Sequence, residues 1–474
     1  MARKKNSEPV ICELTIDALG MEGVAIARNA EGIVHFVKHA APGDRIQAEI
    51  RHTRKRYAEA VIKHIIQPSP HRINPACIHA GICGGCTWQH LEYQQQLFWK
   101  KQHTADSFSR IGKVTVGRLD DTVPAPVLFH YRNKMEFSFG NSRWLTEQEI
   151  QSGDELKRDF ALGLHVPGRF DKILDLQECH IQPEAGNELL HLIRQQSLQH
   201  KVTAYDPRNH KGFLRSLIIR KTITPGEFMA VLIVSTPNQP EEEQFLDWWK
   251  NQAIQHCPFI TSLLYAINDS WSPIAQGELF PIHGPAYITE TIDGIQYRIS
   301  PFSFFQTNSY QLPVFLDLII QQAEIQKHQH IWDLYCGAGT ITLPAARQAA
   351  HCTGIELSAS SIADAMINKE LNSIGNADFY CYDLHKPAAI EHLQKLHRPD
   401  TIIIDPPRAG VHEILLRHIL AIAPERLVYV SCNPATQARD CAILSEKYDI
   451  EKVIPVDMFP HTAHIEAIAR LKLR

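Results

Sequence analysis

The stretch from Thr401 to Pro434 limits what this chain can become. It opens with TIIIDPPRAG and closes with LVYVSCNPAT, and each half begins as a short β-branched apolar run. Such runs mark strands buried on both faces of a parallel sheet. Each ends in a polar, proline-stiffened turn. Between them, VHEILLRHILAIA carries Ile414, Leu415, His418 and Ile419 at helical spacing and reads as a crossover helix. Ligands of open α/β sheets bind beyond the carboxyl ends of the strands. Asp405 and Cys432 are therefore expected on the rim of one cleft, one crossover apart.

The residues upstream extend this sheet. QHIWDLYCGAGTITLPAAR has the order strand, glycine turn, helix, and Gly337 and Gly339 let backbone approach a ligand at the helix start. The C-G-A-G turn is not the GxGxxG fingerprint, so a dinucleotide site is not indicated. Glu356 ends the next strand, where doubly wound folds carry an acid that grips a ribose, and Ser358 is placed to cap the following helix. Asp383 ends a third strand, DFYCYDL, within reach of an adenine amine. The three in this order point to a Rossmann-type S-adenosylmethionine site. Cys336, Cys352, Cys381 and Cys441 read as packing residues.

Cys432 gives that half its chemistry. Carbon 5 of uracil is a poor nucleophile, but adding a thiolate to carbon 6 turns the ring into an enolate that attacks a methyl donor through carbon 5. A base must then remove the carbon 5 proton so that sulfur can leave. The scheme asks for a cysteine of depressed pKa and a carboxylate, and Glu466 in PHTAHIEAIARL supplies the second. In DPPR, Pro406 biases Asp405 toward an extended backbone, so that its carboxylate can accept hydrogen bonds from a uracil N–H or a cofactor. DPPR also resembles the DPP box of amino-methyltransferases, with Arg408 where those enzymes carry a stacking aromatic residue.

At 474 residues the chain is too long for one core. Residues 1–66 show five alternating strands separated by Gly20, Gly23, Gly32 and Pro42-Gly43-Asp44, the pattern of a small barrel of the oligonucleotide-binding kind. RHTRKRY sets Arg51, Arg54, Lys55 and Arg56 beside Tyr57, giving charge for phosphate and a ring for stacking. With a formal net charge of −4, any nucleic-acid surface has to be local. The proline-rich QPSPHRINPA opens residues 67–300, where strands and helices alternate as in an α+β domain. YRNK (Tyr131 to Lys134) and Arg215 are candidate RNA contacts there. Cys77, Cys83 and Cys86 stand in C-x5-C-x2-C spacing, the mark of a soft metal or cluster. Cys179 is the expected fourth ligand, with His180 or His79 as substitutes were the metal zinc. Eleven cysteines without a secretion signal, and no long apolar run, point to a cytoplasmic protein with reduced thiols and no membrane span. MARKKNSEP reads as a short polar tail.

GMEGVAIAR…VHFVKHAAPGDRIQAEI resembles the TRAM module, an RNA-binding barrel attached to RNA-modifying enzymes. FFQTN, DLYCGAGT, GIE, DPPRAG, YVSCNPAT and PHTAHIE together resemble the bacterial 23S rRNA uracil-5-methyltransferases. The resemblance implies a multidomain chain: a TRAM barrel, a central α+β domain holding a 4Fe-4S cluster on Cys77, Cys83, Cys86 and Cys179, and a C-terminal α/β Rossmann-like methyltransferase domain over 301–474. It implies S-adenosylmethionine contacts from Gln306, Tyr335, Thr340, Glu356, Asp383 and Asp405, with Cys432 as nucleophile and Glu466 as base. The expected partner is 23S rRNA, acted on by a monomer. LYCGAGTIT carries Tyr335 and Thr340 where proteobacterial members have LFCGxGNFT, and it is closer to members outside that group, some of which modify more than one uridine. A tRNA enzyme of the same family would share the catalytic third, but such enzymes are expected to lack both barrel and cluster. An amino-methyltransferase would need neither Cys432 nor Glu466, and a non-enzymatic iron–sulfur RNA-binding protein would not keep both.

Overall fold

A computed structural model describes residues 10–153 and 158–474; the polar start MARKKNSEP lies outside the described residues. Strands Ile11–Leu19, Ala25–Arg28, Val34–Val37, Arg45–Thr53 and Tyr57–Gln67 close into a barrel in the order first, second, third, fifth, fourth. Alternation decides this: Leu14, Ile16, Ala25, Ala27, Val37, Ile46 and Ala48 point inward and are buried. Arg54, Lys55 and Arg56 sit exposed at the tip between the last two strands. Glu49 engages Arg51 at 3.0 Å and Lys63 at 2.7 Å on the barrel wall.

The second sheet runs Glu278–His283, Ser262–Ile267, Phe228–Val234, Leu214–Lys221, Lys134–Gly140, Ala161–Val166, Arg169–Asp175 and Arg143–Trp144. Helices Glu184–Gln199 and Pro240–His256 contribute Leu189, Ile193, Phe245 and Trp249 to its buried core.

The third sheet has the order Ala377–Cys381, His351–Glu356, His330–Leu334, Thr401–Ile404, Arg426–Ser431, Glu466–Leu473, Tyr448–Val456, Val116–Leu119. The first five strands are parallel, and Glu466–Leu473 is antiparallel to both its neighbours. Strand order reverses between His330–Leu334 and Thr401–Ile404, which opens a crevice at their carboxyl ends. The crossover after Thr401–Ile404 is the helix Glu413–Ile422. Its buried stripe is Leu415, Leu416, Ile419 and Leu420, whereas Ile414 is 45% exposed, so the stripe is rotated by one residue from the spacing expected.

The linear division at residues 66 and 300 is crossed by one early segment. Helix Tyr93–Asp106 and strand Val116–Leu119 leave the central stretch, and the strand pairs in parallel with Tyr448–Val456 at the edge of the third sheet. The helix reaches the loop after that strand through a buried ion pair, Lys100 Nζ to Asp457 Oδ1 at 2.5 Å. Lys100 also donates to the Phe459 carbonyl at 3.1 Å, and Tyr93 Oη donates to Asp457 Oδ2 at 2.9 Å. Burial pulls Lys100 below the usual lysine range, and Asp457 opposes that pull. Both side chains are fully buried, so removing one leaves a charge with no solvent to receive it. Lys100→Met is expected to lower unfolding free energy by about 3–5 kcal/mol, read from urea denaturation midpoints. Loss of less than about 1 kcal/mol would show that the pair contributes little.

Candidate active site

The register of the third sheet assembles the site. Ser431 faces Ala467 across the antiparallel pair, so one step further along both strands sets Cys432 opposite Glu466. On the other side Leu334 pairs with Ile404, and the Asp405 N–H donates to the Leu334 carbonyl at 3.2 Å, which sets Tyr335 beside Asp405. Gln306, Tyr335, Thr340, Glu356, Asp383, Asp405, Cys432 and Glu466 all line one cleft of about 790 Å³. That volume suits a nucleotide-sized ligand together with a flipped-out base.

The cofactor end is shaped by backbone. Tyr335, Gly337 and Gly339 have φ of +68°, +54° and +81°. A Cβ on Gly339 would stand 3.0 Å from the Phe379 ring, while one on Gly337 would meet nothing within 4 Å, so the turn opens at Gly337 onto the cleft. Glu356 Oε2 accepts from the Gly337 N–H at 3.2 Å and Oε1 from the Ser358 N–H at 2.9 Å, locking the acid to the turn. Ser358 caps the next helix through the Ser361 N–H, as the sequence predicts. The Tyr335 hydroxyl is buried with no partner among the described residues, and Asp383 uses one oxygen to accept from the His385 N–H at 3.1 Å. Open backbone, strand-end acids and an unpaired hydroxyl form a donor and acceptor set that fits S-adenosylmethionine.

At the other end, burial pushes Asp405 up to about 7 and Glu466 well above the carboxylate range. Cys432 is pushed up to about 11 by burial and by the charges of Glu466 and Asp405. This runs against the depressed pKa expected from sequence: burial and the two neighbouring carboxyls raise the thiol rather than lower it. Arg408 acts against the trend, hydrogen-bonding Cys432 and lowering it. Its guanidinium donates to His464 Nδ1 at 2.7 Å, and its carbonyl accepts from the Thr436 hydroxyl at 3.2 Å, which ties the DPPR turn to the SCNP turn. Sequence reasoning treated Arg408 only as a missing aromatic residue. A cation one turn from a strand-end acid, facing the next strand end, was the available signal. Phe304, 65% exposed at the cleft wall, lies within the FFQTN motif but was given no role of its own.

Other expectations divide. Arg132 of YRNK reaches the cleft, but Tyr131 is buried and its hydroxyl donates to the Pro460 carbonyl. Arg215 is buried too and bonds the carbonyls of Asn268, Ser270 and Ser272, so it is not an open RNA contact. Cys336, Cys352 and Cys441 are buried as expected of packing residues, but Cys381 is exposed at a strand end. Cys77, Cys83, Cys86 and Cys179 line one small pocket away from the cleft. Among the described residues, no three His, Cys, Asp or Glu side chains stand at metal-binding spacing. The four thiols are the donors a soft metal or cluster would use, and each candidate histidine has one ring nitrogen engaged elsewhere. His79 Nε2 accepts from the Gln177 N–H at 3.0 Å, and His180 Nε2 lies 3.0 Å from Glu178.

The matches with known proteins agree with this geometry. Residues 286–473 match the tRNA (Uracil-5-)-methyltransferase family, and residues 11–63 match the TRAM domain. An RNA methyltransferase of Porphyromonas gingivalis is 40% identical over 97% of this chain and 99% of its own length. One of Bacteroides thetaiotaomicron is 38% identical over 96% of this chain and all of its own. The chain belongs to the RNA uracil-5-methyltransferase family. It is an S-adenosylmethionine-dependent RNA (uracil-C5)-methyltransferase with an N-terminal TRAM barrel. The Pyrococcus abyssi tRNA (uracil-54, C5)-methyltransferase, solved with S-adenosyl-L-homocysteine, is similar in structure with a TM-score of 0.74 and 27% identity, over 97% of this chain and all of that one. A tRNA enzyme therefore spans the same architecture, and the expectation that the barrel argues against tRNA is corrected. No helix among the described residues is long and apolar enough to cross a membrane.

The raised thiol of Cys432 can be tested directly. Alkylation of Cys432 by iodoacetamide, followed by peptide mass spectrometry, is expected to speed up about tenfold per pH unit from 7 to 10. A plateau below pH 9 would show that the thiolate is stabilised in the free enzyme.

Proposed function

We propose that this methyltransferase modifies carbon 5 of uridine in 23S rRNA through a covalent bond between Cys432 and the base. The observation that carries this reading is the register that sets Cys432 against Glu466 inside a cleft walled by strand-end acids. S-adenosylmethionine, when bound, supplies the methyl group and a sulfonium charge. Gln306, Tyr335, Thr340, Glu356, Asp383 and Asp405, which line the cleft, would hold it. Cys432 Sγ adds to uracil carbon 6, the ring electrons move to the carbon 4 oxygen as an enolate, and the thiol proton leaves to water. Arg408 favours the thiolate, whereas an ionised Glu466 would oppose it. The thiolate therefore forms while Glu466 keeps its proton. Addition moves the negative charge from sulfur to the enolate, and once carbon 5 carries the methyl group that charge is gone and Glu466 ionises, its proton leaving to water. Glu466 then takes the proton from the methylated carbon 5, the carbon 6–sulfur bond breaks, and the thiolate leaves.

Ribosomal RNA is supported by the motif series and by the four-cysteine pocket, both of which resemble the rRNA enzymes. The second reading, a tRNA uridine, is favoured by the full-length likeness to the Pyrococcus abyssi enzyme. Mapping 5-methyluridine in ribosomal and transfer RNA from cells with and without the gene separates them. We read the enzyme as a monomer acting in the cytoplasm, where ribosomal RNA is found. Cys77, Cys83, Cys86 and Cys179 would hold a 4Fe-4S cluster with a structural role, bracing the loop and strand end that supply them.

Two outcomes are expected. Cys432→Ala should bind S-adenosylmethionine but form neither product nor adduct, while Glu466→Gln should stall with methyl-labelled RNA still attached. Loss of a positioned base slows a step about 10²–10⁴-fold, enough for a labelled protein–RNA band to survive denaturing gels. Absence of that band from folded Glu466→Gln enzyme, or turnover by Cys432→Ala, would refute the covalent route. Anaerobically purified protein should contain about four irons and four sulfides per chain, as a cubane cluster on four thiolates requires. Zinc without labile sulfide would refute the cluster.

A further inference from the structure

Away from the catalytic residues, the loop between strands Ser262–Ile267 and Glu278–His283 carries the most exposed tryptophan among the described residues, Trp271, which is 76% exposed. An indole left in water costs free energy unless something covers it, and this one is not free to fold away. Its ring stacks on His210 at 4.7 Å between centroids with the planes 9° apart. His210 Nδ1 lies 2.9 Å from the Tyr205 hydroxyl, and the Arg215 guanidinium sits 3.9 Å over the Tyr205 ring. Arg215 in turn donates to the carbonyls of Asn268, Ser270 and Ser272, the residues on either side of Trp271. Asn268 fixes the loop again, its side chain accepting from the Ser270 N–H and donating to the Ile274 carbonyl. Four planar groups, Arg215, Tyr205, His210 and Trp271, thus form one braced assembly that ends in a rigid indole with an open face.

The loop leads to the catalytic cleft. Gln276, five residues beyond Trp271, lines it, and five residues span at most roughly 18 Å. Local charge is balanced: Asp171, Asp206 and Asp269 stand against Arg208, Lys211 and Arg215, with Arg208 paired to Asp171 and Lys211 exposed with no ion-pair partner among the described residues. The substrate chemistry names the occupant. A uridine methylated at carbon 5 must leave its stack to meet Cys432, and its neighbours lose a stacking surface when it does. Single-stranded RNA is held by aromatic faces of this kind.

We propose that Trp271, held against His210 by Tyr205 and Arg215, is a stacking platform for an unpaired RNA base near the uridine that enters the cleft. The proposal rests on the enzyme acting on RNA but not on which RNA, nor on the covalent route. It is tested on the full chain with a mixed-sequence single-stranded RNA of roughly ten nucleotides containing one uridine, within the footprint of single-strand binders. Binding should quench tryptophan fluorescence and shield it from iodide, because the remaining tryptophans are less exposed. Trp271→Ala should abolish both signals and weaken binding about 5- to 100-fold, the range that loss of one base–aromatic stack gives. Trp271→Phe should restore most of the affinity, and S-adenosylmethionine binding should be unaltered in both. His210→Ala should weaken binding less than Trp271→Ala does. Affinity within twofold of wild type for folded Trp271→Ala would overturn the proposal. So would RNA bound in a filter assay without quenching, or no RNA binding by the wild type. A dimer that Trp271→Ala converts to monomer, with RNA affinity kept, would assign the indole to protein contact instead.

Discussion

The catalytic half depends on a buried charge pair supplied from far upstream. Glu466 and His464 stand at the end of a loop, residues 457–465, that makes little regular structure of its own. What holds it is the helix Tyr93–Asp106. Lys100 grips Asp457, the Gln96 side-chain carbonyl accepts from the His461 N–H at 2.8 Å, and the Trp88 N–H donates to the His461 carbonyl. His461 sits at φ +66°, a conformation that non-glycine residues seldom keep without such restraint. A lysine and an aspartate out of contact with water are costly alone and tolerable together. The pair is therefore less a source of stability than a condition on geometry: the loop has one place where both charges are met.

Around that frame the electrostatics favour quiescence. Asp405, Cys432 and Glu466 line one wall of the cleft, and burial raises all three, with Asp405 adding to the rise at Glu466 and both carboxyls adding to it at Cys432. In such a cluster a single added cation or a single lost anion changes the protonation of the rest. Arg408 is the cation built in. A thiol held above its usual range is a poor target for oxidants.

Much of this was legible from the residues. The barrel strands follow from period-two alternation between glycine turns, and the strand ends at Asp405 and Cys432 follow from β-branched runs closed by proline. These are local signals. What escaped is non-local. The helix Glu413–Ile422 buries Leu416 rather than Ile414 because its apolar stripe is Leu415, Leu416, Ile419 and Leu420, and the expected face wrongly took in His418. Strand Arg169–Asp175 alternates too weakly to be seen without its partners Ala161–Val166 and Arg143–Trp144. Arg408 looked like a defect in another motif until His464 and Cys432 stood beside it. Lys100 and Asp457 lie too far apart in the chain for any window to join them.

The short strand Val116–Leu119 has a consequence for modularity. It covers the outer edge of a sheet made otherwise from the last third of the chain. A fragment beginning at residue 301 would leave Tyr448–Val456 as a bare edge with unpaired backbone, a template for aggregation. It would also lack the helix that positions Glu466. During synthesis the same arrangement keeps an early segment waiting until the final strands emerge, so the site closes only when the chain is whole. Exchange of catalytic thirds between such enzymes should therefore carry residues 93–119 along, and recombination boundaries drawn by linear domain limits would cut through the active site's own foundation.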